Sequence, residues 1–535
     1  MKISVISILS LAIAAVSAMP ANDYSNGNAY GHGNGNGNGN GNGNGKKPAN
    51  KNLIMIVSDG FGVASETLAR TYVQQIDRKP YQWLSNLDEI LVGTSRTKAS
   101  DSLVTDSAAG ATAFSCGKKS YNGAIGVTDD EKPCGTVLEA AKLQGYKTGL
   151  VTTSRITHAT PASFAAHVVD RDMEGLIAQH EIGDNVLGNK VDLLLGGGLC
   201  FFQPNTTKGS CRTDTLDAWK LAKTNGYSTF SDRASFDALK TSAKLPLLGL
   251  FTSGHMSYEI DRDAAKEPSL AEMATKALSI LHKNTENSKK GFFIMIEAAR
   301  IDMAGHDNDP AAHLRDIVQY WETITAVRKF IDAHPDTSMV ATSDHETGGL
   351  TLAVDPDYVF YPKFLQPVKK STEVICPEIK KIPADKRSEF VRTTVIPQYL
   401  GLANVTDSDV KSIVDGIASG STECKHSVGH VVSKYAHIGW TTGGHTGVDV
   451  GLYAYGKGTE KLHGNNENTQ VGEFLRDFLR LELDSVTKRL ANETTVQPGF
   501  SWSRAPTTLL TRRDASRNNY HEQLDSYHPA RAHFH

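Results

Sequence analysis

Long hydrophobic runs are nearly absent from this 535-residue chain. The one that stands out, residues 3–16, follows Met1-Lys2 and ends at Val16-Ser17-Ala18, the small-residue pattern a signal peptidase selects, so we read 1–18 as a cleaved secretory signal. It falls short of the roughly 20 apolar residues a membrane helix needs. No later segment supplies them, which excludes a polytopic membrane protein and leads us to expect no stable membrane anchor. An excess of one charge is missing too: 56 Lys plus Arg stand against 59 Asp plus Glu, a formal net charge of -3. Without a basic field the chain has no general hold on polyanions, and no nucleic-acid partner is expected. Cysteine is scarce, six residues in all. In an exported chain an even number of cysteines points to disulfides rather than metal thiolates. Their order suggests Cys116 with Cys134, Cys200 with Cys211 and Cys376 with Cys424. Six cysteines allow other connectivities, and the short 200–211 loop is the pairing that stands apart. Sequons at Asn205, Asn404 and Asn492 mark a glycoprotein if the host is eukaryotic. These features together describe a secreted, extracellular protein.

What is present is an ordinary globular balance, 39% hydrophobic and 21% charged residues, which excludes a fully disordered chain. Gly-Asn alternation at 31–45 has no apolar surface to offset its backbone entropy, so 19–50 is expected to be a disordered leader. Composition shifts again near 491, and Arg512-Arg513 with His521, His528, His533 and His535 suggest a disordered tail over 491–535. Between these ends, apolar runs typical of buried strands (53–57, 148–152, 191–195, 247–251, 292–296, 339–342 and 450–454) alternate with helical patterns (107–114, 136–144, 269–282, 310–333 and 468–483). The alternation predicts a three-layer α/β/α sandwich around a mostly parallel central sheet, one domain over 51–490. Residues 355–437, with weaker periodicity and two cysteines, read as a smaller inserted cap region. In such a sheet, ligands gather beyond the carboxyl ends of the strands.

The polar clusters fall where those strands end. Strand 53–57 runs into Ser58-Asp59-Gly60-Phe61-Gly62, strand 292–296 into Glu297 and then Asp302 and His306, and strand 339–342 into Ser343-Asp344-His345-Glu346-Thr347-Gly348-Gly349. Thr441-Thr442-Gly443-Gly444-His445-Thr446 precedes the last strand. Asp302 and His306 are one helical turn apart and so share a face. Carboxylates and imidazoles without sulfur are the donor set of a hard-to-borderline divalent cation. Each of these residues alone would be an ordinary helix face, cap or loop; their joint occurrence at strand ends points to metal binding. Ser107 opens a run of small residues, Val104-Thr105-Asp106-Ser107-Ala108-Ala109-Gly110-Ala111-Thr112-Ala113, at a helix start where unpaired N–H groups favour an anion. The small neighbours are expected to let a substrate group approach closely. A metal beside Ser107 would hold its oxygen as the alkoxide, with no histidine base required.

On these motifs the chain resembles the alkaline phosphatases, metal-dependent phosphomonoesterases, over about 51–483. The resemblance implies that Ser107 is the nucleophile that becomes phosphorylated. It also implies that Asp302, His306 and His445 form one zinc site and Asp59, Asp344 and His345 a second. Asp59, Glu297 and Thr160 would hold a magnesium ion, with His158 nearby where bacterial members often keep an aspartate. Arg171, a short way beyond Thr160, matches the phosphate-clamping arginine. Met303 occupies a position that commonly holds histidine or lysine near the phosphate; methionine cannot donate a hydrogen bond, so a weak hold on product is expected. Two zinc ions and one magnesium ion per chain, small phosphate monoesters as substrates, and a homodimer follow from the same resemblance. The implied reaction is hydrolysis of the monoester to an alcohol and inorganic phosphate through a phosphoserine intermediate. Two metals suit an in-line displacement, and a guanidinium fork matches free phosphate oxygens. A phosphodiesterase or sulfatase-like hydrolase of the same superfamily would share the metal frame, but Ser107 with Arg171 favours monoesters. A non-catalytic secreted metal-binding protein would have no use for either residue.

Overall fold

The strand Asn52–Val57 is buried at every position and pairs in parallel with Phe292–Glu297 on one side and Thr337–Thr342 on the other. Its apolar run from Leu53 to Val57 follows from that place, since both faces of a central parallel strand are covered by helices. The computed structural model describes residues 52–492. The expected signal segment (1–18) and leader (19–50), and the expected tail apart from its first two residues, lie outside the described residues. Ten strands form one sheet in the order Gly464–Glu467, Leu91–Arg96, Val450–Tyr455, Thr337–Thr342, Asn52–Val57, Phe292–Glu297, Lys147–Arg155, Leu193–Gly197, Leu247–Leu250 and Ser228–Phe230. Val450–Tyr455 runs antiparallel to both its neighbours, and the other pairings are parallel.

Alternation along the strands feeds two separate cores. Ile54 and Ile56 join Leu278, Leu281, Ile317 and Tyr320 from the helices Leu270–Thr285 and Pro310–Ala333. Leu53, Met55 and Val57 face the other way, onto Phe114, Leu138, Val471 and Leu475 from Ser107–Cys116, Val137–Leu143 and Asn468–Leu479. The result is the expected α/β/α sandwich. Local chemistry sets the helix starts: Ser269 and Glu272 form a capping box, and Pro310 stands at the first turn behind the Asp309 cap. The helix expected over 468–483 stops at Leu479, because Arg480 takes the left-handed conformation (φ 56).

Segment 355–437 adds no strand to the sheet. It folds mainly as helices, among them Thr372–Lys380, Asp407–Ser419 and Ser421–Ala436, tied together by Cys376–Cys424. The chain leaves and re-enters the sandwich through two small antiparallel ribbons, Leu350–Thr351 with Gly439–Trp440 and Glu346–Thr347 with His445–Thr446. The remaining cysteines form Cys116–Cys134 and Cys200–Cys211, so all six pair in the order suggested.

Candidate active site

The expected residues converge at the carboxyl ends of the central strands. Asp59 follows Asn52–Val57 in a turn where Gly60 has φ +74, and a Cβ on Gly60 would come within 2.5 Å of Asp302 Cα. Glycine alone permits both that conformation and that approach. Asp302 and His306 project from the helix Arg300–His306, Asp344 and His345 follow Thr337–Thr342, and His445 lies opposite Thr347 in the ribbon. Three groups result, each with ligand atoms within 4.8 Å of one another: Asp302, His345 and His445; Asp59, Asp344 and His345; Asp59, His158 and Glu297. His306 Nε2 adjoins the first, 3.2 Å from Asp302 Oδ2 and 3.1 Å from His445 Nε2. Thr160 is buried in the first turn of the helix Ala159–Ala165. Ser107 Oγ lies 3.2 Å from His345 Nε2 and 3.5 Å from Asp59 Oδ1. Arg171 reaches Asp106 Oδ2 at 3.2 Å through Nη1 and His158 Nε2 at 2.9 Å through Nη2.

So many carboxylates in a buried volume strain one another's ionisation. Burial, then the charges of Asp344, Asp302 and Glu297, push Asp59 well above the usual carboxylate range. Burial and Asp302 raise Asp344 to about 6, and burial raises Glu297. For Asp302 burial acts upward too, but His306 and His445 outweigh it and hold the carboxyl well below its usual range. Burial and His445 hold His345 far down, as a neutral imidazole. Asp59 Oδ2, Asp344 Oδ2 and Glu297 Oε1 are buried without a hydrogen-bond partner. Orphaned carboxylate oxygens grouped with imidazole nitrogens fit bound divalent cations, whose charge would relieve the repulsion and satisfy the oxygens.

Three features add to the sequence expectation. Within Ser107–Cys116 a small residue also serves protein packing, since a Cβ on Gly110 would lie 2.9 Å from Asp344 Cβ. Met303 packs among Tyr258, Ala304 and Ala312 with its sulfur 2.7 Å from Arg300 Nη1, a packing residue beside a buried cation. Thr152 and Ser154 donate to Glu297 Oε2, and Thr347 donates to Asp302 Oδ1. The one available signal was position: Thr347 lies two residues past His345, a spacing that shares a side wherever the backbone is extended.

The family model for alkaline phosphatase matches residues 50–481. The chain belongs to the alkaline phosphatase family. It is 44% identical to the alkaline phosphatase of Schizosaccharomyces pombe over 82% of this chain and 83% of that protein. It is also 44% identical to the repressible alkaline phosphatase of Saccharomyces cerevisiae, covering 82% of each. The Thermus thermophilus alkaline phosphatase structure superposes with a TM-score of 0.71 at 28% identity, over 83% of this chain and 96% of that one. The protein is a phosphoric monoester hydrolase of a metal-dependent family.

In this phosphatase the segment 355–437 grips the helix that carries Asp302 and His306. Arg300 Nη2 meets Glu373 Oε2 at 2.7 Å, with the guanidinium 3.7 Å over the Tyr258 ring. Lys425 Nζ meets Asp307 Oδ1 at 3.1 Å, and Thr372 N donates to Asp309 Oδ2 at 2.8 Å. His426 Nε2 lies 2.8 Å from the carbonyl oxygen of His306. Buried pairs of this kind hold geometry firmly, because losing one partner strands a charge.

Proposed function

We propose that Ser107 is the nucleophile of phosphate monoester hydrolysis, that Arg171 clamps the phosphoryl group, and that two zinc ions and one magnesium ion complete the site. Asp302, His306 and His445 would hold one zinc, and Asp59, Asp344 and His345 the other. Asp59, Glu297 and Thr160 would hold magnesium, with His158 beside them. The carrying observation is the convergence of Ser107 Oγ with His345 Nε2 at 3.2 Å and Asp59 Oδ1 at 3.5 Å, among orphaned carboxylate oxygens. When bound, the ions supply positive charge to the oxygens entering and leaving phosphorus and favour ionisation of water.

The chain's own residues do the positioning. Ser107 stands at the N-terminus of its helix, whose free N–H groups favour the phosphoryl anion. Asp106 accepts from Ala109 N and Gly123 N at 2.9 and 2.8 Å, which fixes the carboxylate that orients Arg171. Ser107 Oγ displaces the alcohol from phosphorus, and the alcohol leaves with the proton that Ser107 gives up. Water then cleaves the phosphoserine and inorganic phosphate departs. The three disulfides support the extracellular location we propose, and the exposed sequons at Asn205 and Asn404 are open to glycosylation. A homodimer rests on the family resemblance alone.

Turnover of p-nitrophenyl phosphate should vanish in excess EDTA and return with zinc plus magnesium, and acid quenching should trap phosphate on Ser107. Full activity after prolonged chelation would refute the metals, and label on another residue would refute the nucleophile.

A further inference from the structure

Thr347 contributes no atom to the three ligand groups, yet its hydroxyl touches two of them. The side chain is fully buried. Its Oγ1 donates to Asp302 Oδ1 and lies 3.2 Å from His345 Nδ1. A hydroxyl has one proton. With that proton given to Asp302, Thr347 can only accept from His345, which places the imidazole proton on Nδ1 and leaves the lone pair on Nε2. Nε2 is the atom that faces Ser107 Oγ at 3.2 Å and Asp59 Oδ1 and Asp344 Oδ2 at 3.4 Å each. The backbone around Thr347 is fixed as closely. Thr347 N donates to Gly60 O at 3.2 Å, Thr347 pairs with His445 across the ribbon, and a Cβ on Gly305 would meet Thr347 Cγ2 at 3.0 Å. The residue thus stands where the Asp59 turn, the Asp302 helix and the His445 strand meet.

On the zinc reading given above, we infer that Thr347 is a positioning residue that couples the two zinc positions. One hydroxyl orients Asp302 for the first and sets the tautomer of His345 for the second, so losing it weakens both. Partners that orient metal ligands in this way change affinity by about 10- to 100-fold when removed.

The test separates the hydroxyl from the methyl. Thr347→Val keeps the shape and loses the hydroxyl, while Thr347→Ser keeps the hydroxyl and loses the methyl. Zinc is titrated into chelator-stripped protein against a chromophoric chelator without substrate, and the Tm of each apoprotein is recorded to confirm folding; Thr347→Ala replaces the valine variant if that does not fold. Thr347→Val should bind both zinc ions about 10- to 100-fold more weakly, and Thr347→Ser should bind like the wild type. Unchanged binding by Thr347→Val overturns the inference, as does weakening at one position only. Thr347→Ser as weak as Thr347→Val overturns it too, by assigning the effect to the methyl against Gly305. Those outcomes leave the metal reading standing, whereas wild-type protein that takes up no zinc brings down that reading and the inference with it.

Discussion

Arg171 is oriented by the protein itself, with Asp106 Oδ2 at one end of its fork and His158 Nε2 at the other. A monoester presents one more free oxygen to such a fork than a diester does. Arg171→Ala should therefore lower kcat/KM for monoesters by about 10- to 100-fold, the loss expected for a hydrogen bond between charged partners, and lower it less for diesters. Parallel assays of one aryl monoester and one aryl diester check this, and equal losses refute the clamp. At this scale, Asp59, Glu297, Asp344 and His345 could be read from the chain because each ends or follows an apolar run that is unmistakably a strand. The surroundings of Met303 could not be read from its place beside Asp302, because on a helix adjacent residues point about 100° apart and its neighbours Tyr258 and Ala312 come from elsewhere in the chain. Of Thr347 only its position two residues past His345 was legible; its contact with Asp302 depends on a helix and a ribbon meeting, which no local pattern records.

The helix Val137–Leu143 shows how one element carries two tasks. Glu139 closes the capping box with Thr136 and also meets His167 Nε2 at 2.8 Å, while His167 Nδ1 lies 2.7 Å from Gly126 O. With an acceptor at each nitrogen, the imidazole is held as the cation. Burial opposes this, but Glu139 outweighs it and raises His167 above its ordinary 6.5. A raised histidine stabilises the fold fully below the unfolded value of 6.5 and loses that contribution as pH climbs through the folded value. His167→Gln should cost about 3 kcal/mol near pH 6, and the deficit should shrink in alkaline buffer. Urea unfolding of both proteins across that range decides it, and a deficit independent of pH refutes the ion pair. Strands were legible where both faces are covered. Leu91–Arg96 and Gly464–Glu467 were not, because they lie at or beside the sheet edge and are largely polar or exposed. The reversed direction of Val450–Tyr455 left no trace, since a strand buried on both faces looks the same in either orientation.

Over the whole molecule, the segment 355–437 matters through its grip on Arg300–His306, and Cys376–Cys424 stiffens that grip by joining residues 48 apart. Chain entropy for a loop of that length amounts to about 4 kcal/mol. Replacing both cysteines by serine should lower unfolding stability by about that amount in a denaturant titration, and an unchanged midpoint would mean that the helices hold the segment unaided. The central position of Asn52–Val57 has a further consequence, in time. It is the first strand of the sheet to be synthesised, yet its partners for Leu53 are Phe293 and Ser338. At about 5–20 residues per second it waits roughly ten to fifty seconds for a neighbour. Lys147–Arg155, Leu193–Gly197, Ser228–Phe230 and Leu247–Leu250 can pair among themselves meanwhile, so the sheet can grow from one side and close at its centre only once more than half of the chain exists.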